Sequence, residues 1–367
     1  VTDSTVNIPN TPPSFKPTES GVQGSGGFKL PIDWQGLLAQ KGKGKTLGGI
    51  AFLVFLFFYA IGFYWSCEPD LLDVEADAKA YADAHGQQVV NGYVTTHTLI
   101  TVASTLLDKP GGYISNDKTP PGIFMDNMPN WEFGVLQQVR DFSKVLRNDL
   151  SRAQSLGEEN DDLSKAEPKF NVDNESWLVP AAENEYRGGI NYLEEYLADM
   201  SAPNQSNVQF YSRADNLGDW LKLVVRRLGS LSKRLNASVG ETRLNTNLAG
   251  EPGSEQSTSQ DASITTKTSW WEIDDVFYEA RGTSWALINL LHAIEVDFRG
   301  VLEKKQALAS LQQIIQELEA TQRMLWSPLV LNGSDFGLFA NHSLVMSAYI
   351  SRASSGLIEL RDLLTRG

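Results

Sequence analysis

TLGGIAFLVFLFFYAIGFYWSC, residues 46–67, holds no charged side chain between Lys45 and Glu68. Wound as an α-helix at 1.5 Å per residue, such a run reaches roughly 30 Å, the thickness of a bilayer's hydrocarbon core. Lipid offers no partners for backbone N–H and C=O groups, so a spanning segment here has to be helical. Tyr59, Tyr64 and Trp65 gather towards one end, as amphipathic rings do at a membrane–water boundary. A helix buried in a soluble core is rarely aliphatic or aromatic on every face for five turns.

The flanks orient this segment. Lys41, Lys43 and Lys45 precede it, and Glu68, Asp70 and Asp73 follow it. Positive charge stays on the cytoplasmic side, which predicts a cytoplasmic N-terminus and an exported C-terminal region. The apolar run is too long for the core of a signal peptide, and no small-x-small site follows it, so an uncleaved signal anchor is expected. Trp285 to Phe298 is the next most apolar stretch, but it contains His292, Glu295 and Asp297.

Charge is divided in the same way. The formal net charge of −14 splits into +2 over residues 1–46 and −16 over the remainder. So acidic a chain is a poor binder of phosphate backbones, which excludes nucleic acid as the expected partner. The partners expected are the lipid bilayer around the span, other inner-membrane or periplasmic proteins, and a second copy of the chain. Cys67 is the only cysteine, so no intramolecular disulfide forms and the exported part has to be stabilised by burial. The bulky Tyr64-Trp65-Ser66 before it argues against lipidation.

Five regions follow. Residues 1–45 form a flexible tail with a basic membrane-proximal end, and 46–67 form the transmembrane helix. Residues 68–240 and 269–367 are helical regions that pack together, and 241–268, rich in Ser, Thr, Gln and Gly, form a loop or linker. Asp73 to Leu107 is a long helical candidate, broken or kinked near His85-Gly86 and Asn91-Gly92. Trp131, Val135, Val139, Phe142, Leu146 and Leu150 recur at spacings of three and four, one stripe of a helix. Leu217 to Leu235 and Leu308 to Leu325 repeat the pattern, helices are expected over Tyr186–Met200 and Ser343–Leu364, and a strand signal is confined to pieces such as Ser327–Leu331. The fold class expected is all-α: a single transmembrane helix, then a periplasmic multi-helix bundle with long loops.

Two blocks carry a resemblance. GYVTTHTLI at 92–100, continuing through LDKPGGY at 107–113, is one, and PGIFMDNMPNWEFG at 121–134 is the other. Together they resemble an uncharacterised family of proteobacterial inner-membrane proteins, over the chain from the span onward. The resemblance implies a Gram-negative inner membrane and a periplasmic domain. It implies no activity, so no functional residue is carried across.

The residues themselves offer little chemistry. There is no G-x-S-x-G elbow, and His85, His97, His292 and His342 are scattered without a metal-binding spacing; His292-Ala-Ile-Glu295 reverses the order a di-iron bundle needs. No cofactor is expected. Carboxylates that would serve glycan cleavage are Glu272, Asp274, Asp275, Glu279, Asp126 and Glu132, although Glu272, Asp275 and Glu279 read as a solvated acidic face. The Gly- and Pro-rich loop 108–130 is the segment most suited to recognition, with Pro121, Phe124, Met125 and Asp126 as candidate interaction residues. Trp131, Trp270 and Trp271 join them, because two adjacent tryptophans cannot both face one core. The function expected is a non-enzymatic envelope scaffold or accessory subunit; a ligand sensor signalling through a partner and a carboxylate-based cell-wall enzyme are the alternatives.

Overall fold

The computed structural model describes residues 43–152, 159–202, 208–244, 263–327, 329–334 and 338–366. The chain divides into two units, Val1–Val54 and Phe55–Gly367. The described part of the first is the helical stretch Lys43–Val54, which begins helix α1 (Lys43–Trp65). Leu47–Trp65 of that helix is long and apolar enough to cross a membrane, and its side chains are exposed almost throughout. Lys41 lies outside the described residues; Lys43 opens α1 and Lys45 is exposed.

The second unit is all-α apart from one small ribbon, as the stripes in the sequence require. Asp73 caps α2 (Val74–His85) by accepting from the Ala76 N–H, and Gly86 ends it in the left-handed region at φ 64°. Gly92, at φ 87°, then starts α3 (Tyr93–Asp108), so the expected break falls between the two glycines. Asp126 precedes α4 (Asn127–Val145), which passes into a π-helical turn at Leu146–Leu150. The stripe from Trp131 to Leu150 is buried in full.

Next come α5 (Asp161–Phe170), α6 (Ala182–Ser201) and α7 (Ala214–Asn236). The loop or linker expected over 241–268 begins and ends as two short antiparallel strands, β1 (Glu241–Leu244) and β2 (Ser263–Thr266), with Glu241 opposite Thr266. Residues 245–262 lie outside the described part. Alternating Thr, Arg and Leu or Ile suits an extended pair, but two four-residue strands are too short to stand out from a polar background.

Helix α8 (Ile273–Asp297) is the centre of the bundle, buried continuously from Glu279 to Leu291. A helix buried on every face along this stretch has to be covered on all sides, and α3, α4, α7, α10 and α11 cover it. The short α9 (Arg299–Lys304) leads to α10 (Leu308–Glu319), and Asn341 caps the last helix, α11 (His342–Thr365). The stripe expected to reach Leu325 stops earlier, in a 3-10 turn at Ala320–Gln322, where the Thr321 hydroxyl donates to the Leu318 carbonyl. No strand forms among the described residues of 327–331; the nearest pairing is a single bridge between Asn332 and Asn341. The α7 stripe packs against α11, where Ser232 shares hydrogen bonds with Ser347 and Ser351 at 2.9 and 2.7 Å.

Two helices approach closely through glycine. A Cβ on Gly282 would lie 2.0 Å from the Trp131 carbonyl oxygen, and one on Gly134 would lie 2.2 Å from that of Glu279. Only hydrogen at these two positions lets α4 and α8 come so near.

Candidate functional site

Leaving α1, the chain runs along α8 and is fastened to it three times. Glu68 pairs with the Arg281 guanidinium, Nε donating to Oε1 at 2.7 Å. The Trp285 indole donates to the Asp70 carbonyl and the Leu72 N–H donates to Asn289, both at 3.0 Å. Arg281 also donates to the carbonyls of Thr321 and Arg323. One buried guanidinium thus ties the exit of α1 to α8 and to the turn after α10. Neither Glu68 nor Arg281 stands out in the sequence, since 213 residues separate them and nothing local marks either as buried.

The loop 108–130 has two halves with different characters. Its first half is pinned from below. Glu132, on the first turns of α4, accepts from the Ile114 N–H at 2.9 Å, the Ser115 N–H at 2.8 Å and the Ser115 hydroxyl at 2.5 Å. Lys109 pairs with the same carboxylate at 2.5 Å and donates to the Gly112 carbonyl, and both side chains are sealed from solvent. Burial pushes the Glu132 carboxyl above its ordinary range, against the pull of Lys109 and of the donors. Glu132 is therefore a structural anchor for the loop.

The second half lies against α1. Pro120, Pro121, Phe124 and Met125 form one wall of an apolar groove of about 580 Å³, and Phe55, Phe58, Tyr59, Gly62, Phe63 and Ser66 form the other. The loop comes close to α1 at Gly62, where an added Cβ would make ordinary contact with Pro121 at 3.5 Å. Gly111, at φ 88°, lies under the Trp65 ring. Pro121 is buried, Met125 half-buried and Phe124 exposed.

Beside this groove the structure gathers carboxylates that the sequence only suggests. Asp126 and Asp275 are joined through Asn130, whose amide donates to Asp275 at 2.7 Å and to the Asp126 carbonyl at 3.0 Å. Burial, reinforced by Asp274, Asp126 and Glu272, pushes Asp275 up to about 6, and Asp274 is raised too. Both occupy the first turn of α8, where the helix dipole offsets part of their repulsion. Glu279 corrects the reading of a solvated acidic face: it is buried and pairs with Arg234 at 2.5 Å. α7 crosses α8 there, so a position one helical turn from Asp275 faces inward.

The tryptophans separate sharply. Trp131 is fully buried and packs on Trp285 with ring centroids 5.2 Å apart, so it is a core residue and offers no ring to a partner. Trp270 and Trp271 are both exposed, edge to face at 5.6 Å. Tyr81 stacks on His85 with ring centroids 4.0 Å apart, and His97 lies tilted against it at 4.8 Å. His97 is buried, and that burial lowers its pKa. Among the described residues, no group of three or more His, Cys, Asp or Glu is placed to hold a metal. A basic cleft near Gln137 and Arg226 includes Arg227 and Arg234, but Asp141 and Glu279 pair with those two.

An all-α bundle joined to one exposed apolar helix is the class of protein that these features define. Residues 38–367 match the family described as an uncharacterized protein conserved in bacteria (DUF2333), and the chain belongs to that family. No curated protein and no solved structure matches it.

Proposed function

We propose that α1 anchors the chain in the inner membrane, with the N-terminus cytoplasmic and the bundle periplasmic, and that the bundle is a non-enzymatic scaffold or accessory subunit of an envelope complex. The observation that carries this reading is the fastening at Glu68 and Arg281. A domain on a loose tether samples many heights and tilts. Here the residues leaving α1 bond to α8 at Glu68, Asp70 and Leu72, and the same guanidinium holds the turn after α10. Such a join presents the bundle's surfaces in one orientation, which is what assembly of other proteins needs. The lysines before the apolar run and the acids after it support the orientation.

The alternatives have less behind them. Two arginines of the basic cleft already hold carboxylates, which weakens an anion-sensing pocket, and Glu132 and Glu279 are committed to structural pairs. Crosslinking in intact cells, followed by purification in mild detergent and identification of what is captured, tests the scaffold reading. Specific envelope proteins are expected; recovery of the chain alone and monomeric would contradict it.

A further inference from the structure

The turns of the bundle fall into two sets, and one set is linked to the loop that lies beside α1. Pro120, Pro121, Phe124 and Met125 line the groove along Phe55–Ser66, and Gly111 lies under Trp65. The turn 171–181 is stitched to the same loop: Tyr113 donates to the Asn174 carbonyl at 3.1 Å, and Asn116 donates to that of Ser176 at 2.9 Å. Residues 267–272 lead into α8, whose Asp275 accepts from Asn130. Residues 323–327 leave the Arg281 junction at Arg323, and residues 329–334 and 338–341 lead into His342, whose ring lies 6.4 Å from Phe277.

The direction of α8 sets their depth. Glu68, Asp70 and Leu72 meet Arg281, Trp285 and Asn289 in turn, so α8 runs away from α1. Its first residue, Ile273, comes eight positions before Arg281, roughly 12 Å back along the axis. Two residues further on, Asp275 accepts from Asn130, which ties this start of α8, and Trp270 and Trp271 before it, to the loop whose Pro121 and Phe124 line the groove with α1.

These four turns hold the most exposed apolar side chains of the bundle. Phe124 is 81% exposed, Val179 88%, Trp271 81%, Trp326 91% and Leu338 101%. Among the described residues outside α1 and these turns, no large apolar side chain exceeds 55%, the value at Val345. Scattered exposed apolar residues are ordinary, but their concentration at one end of a bundle marks a surface that meets something. The surface is continuous with α1, and indole rings favour the boundary between lipid and water.

We infer that this end of the bundle is seated in the bilayer, its four apolar turns immersed in the leaflet around the C-terminal half of α1. The inference rests on the membrane reading above and adds to it. A span alone leaves the bundle in water, whereas this face makes the bundle a body with two attachments, one threaded through the bilayer and one lying in its surface. The groove between α1 and Pro120–Met125 is then filled by lipid chains.

The test uses the full chain with Cys67→Ser and one new cysteine at a time, reconstituted in phosphatidylethanolamine–phosphatidylglycerol vesicles. Phe124→Cys, Trp271→Cys and Trp326→Cys report on the rim, Leu53→Cys on the span, and Val89→Cys on the turn between α2 and α3. Each carries an environment-sensitive fluorophore, and helix content by circular dichroism confirms that each variant is folded. The rim labels and Leu53 are expected to lose most of their emission to spin-labelled lipid and little to aqueous iodide, with the reverse at Val89. Rim labels quenched by iodide while Leu53 is quenched by lipid would overturn the inference and leave the span standing. Rim labels shielded from both quenchers would overturn it in favour of a protein cover. Iodide quenching at Leu53 would remove the span itself.

Discussion

Lys109 and Glu132 are costly charges to disturb, because both side chains are sealed from solvent and each holds backbone as well as its partner. Breaking a buried pair by removing one member leaves an uncompensated charge, which costs about 3–5 kcal/mol. Lys109→Met is expected to lower stability by that amount, read as a fall in the urea midpoint of the detergent-solubilised chain; an unchanged midpoint would show that the pair is not buried. Asp275 behaves in the opposite sense. Its pKa is raised to about 6 in the folded protein against an ordinary 3.8, so folding favours the protonated form. The stability it contributes is complete below pH 3.8 and is lost as pH rises through about 6. Asp275→Asn keeps an acceptor for Asn130 and removes the charge. It is expected to stabilise the protein at pH 8 by about 1 kcal/mol, after discounting for solvent, and to change little at pH 4. Thermal melts at the two pH values decide; a gain equal at both would rule out the charge as the cause.

At the scale of elements, the contact between α4 and α8 depends on two glycines. Gly282→Ala would push a methyl group to 2.0 Å from the Trp131 carbonyl, so the helices must separate. A loss of about 1–3 kcal/mol is expected, the usual cost of overpacking. Gly229, in α7, has nothing within 4 Å of where an alanine methyl group would sit, and Gly229→Ala should instead gain about 0.5–1 kcal/mol. Urea unfolding of the two variants gives opposite signs if the packing is as described and the same sign if it is not. The helices are legible in the sequence because burial imposes a period: Trp131 to Leu150 and Leu217 to Leu235 announce their inner faces. The glycine contact is not, because Gly134 and Gly282 lie on separate helices and neither spacing nor composition pairs them. Glu279 escapes the sequence for the same reason. One helical face can pass from water into a crossing with α7, and the change depends on where Arg234 lies in space.

For the whole molecule, the span is the clearest feature of the sequence, and the rim of exposed turns the least. Phe124, Val179, Trp271, Trp326 and Leu338 belong to no stripe and lie in segments rich in Gly, Pro, Ser and Asn, where an apolar residue reads as incidental. Only the antiparallel run of the helices brings their turns to one end. The loop 108–130 is legible as a candidate but not in its division, since burial of Glu132 decides which half is fixed from within and which lies along α1. The arrangement proposed above is a bundle held outside the cytoplasm by α1. Fusions at the C-terminus test it most directly, with alkaline phosphatase, which is active only after export, and green fluorescent protein, which matures only in the cytoplasm. The account predicts an active phosphatase and a dark fluorescent fusion; the reverse pair of results would contradict it.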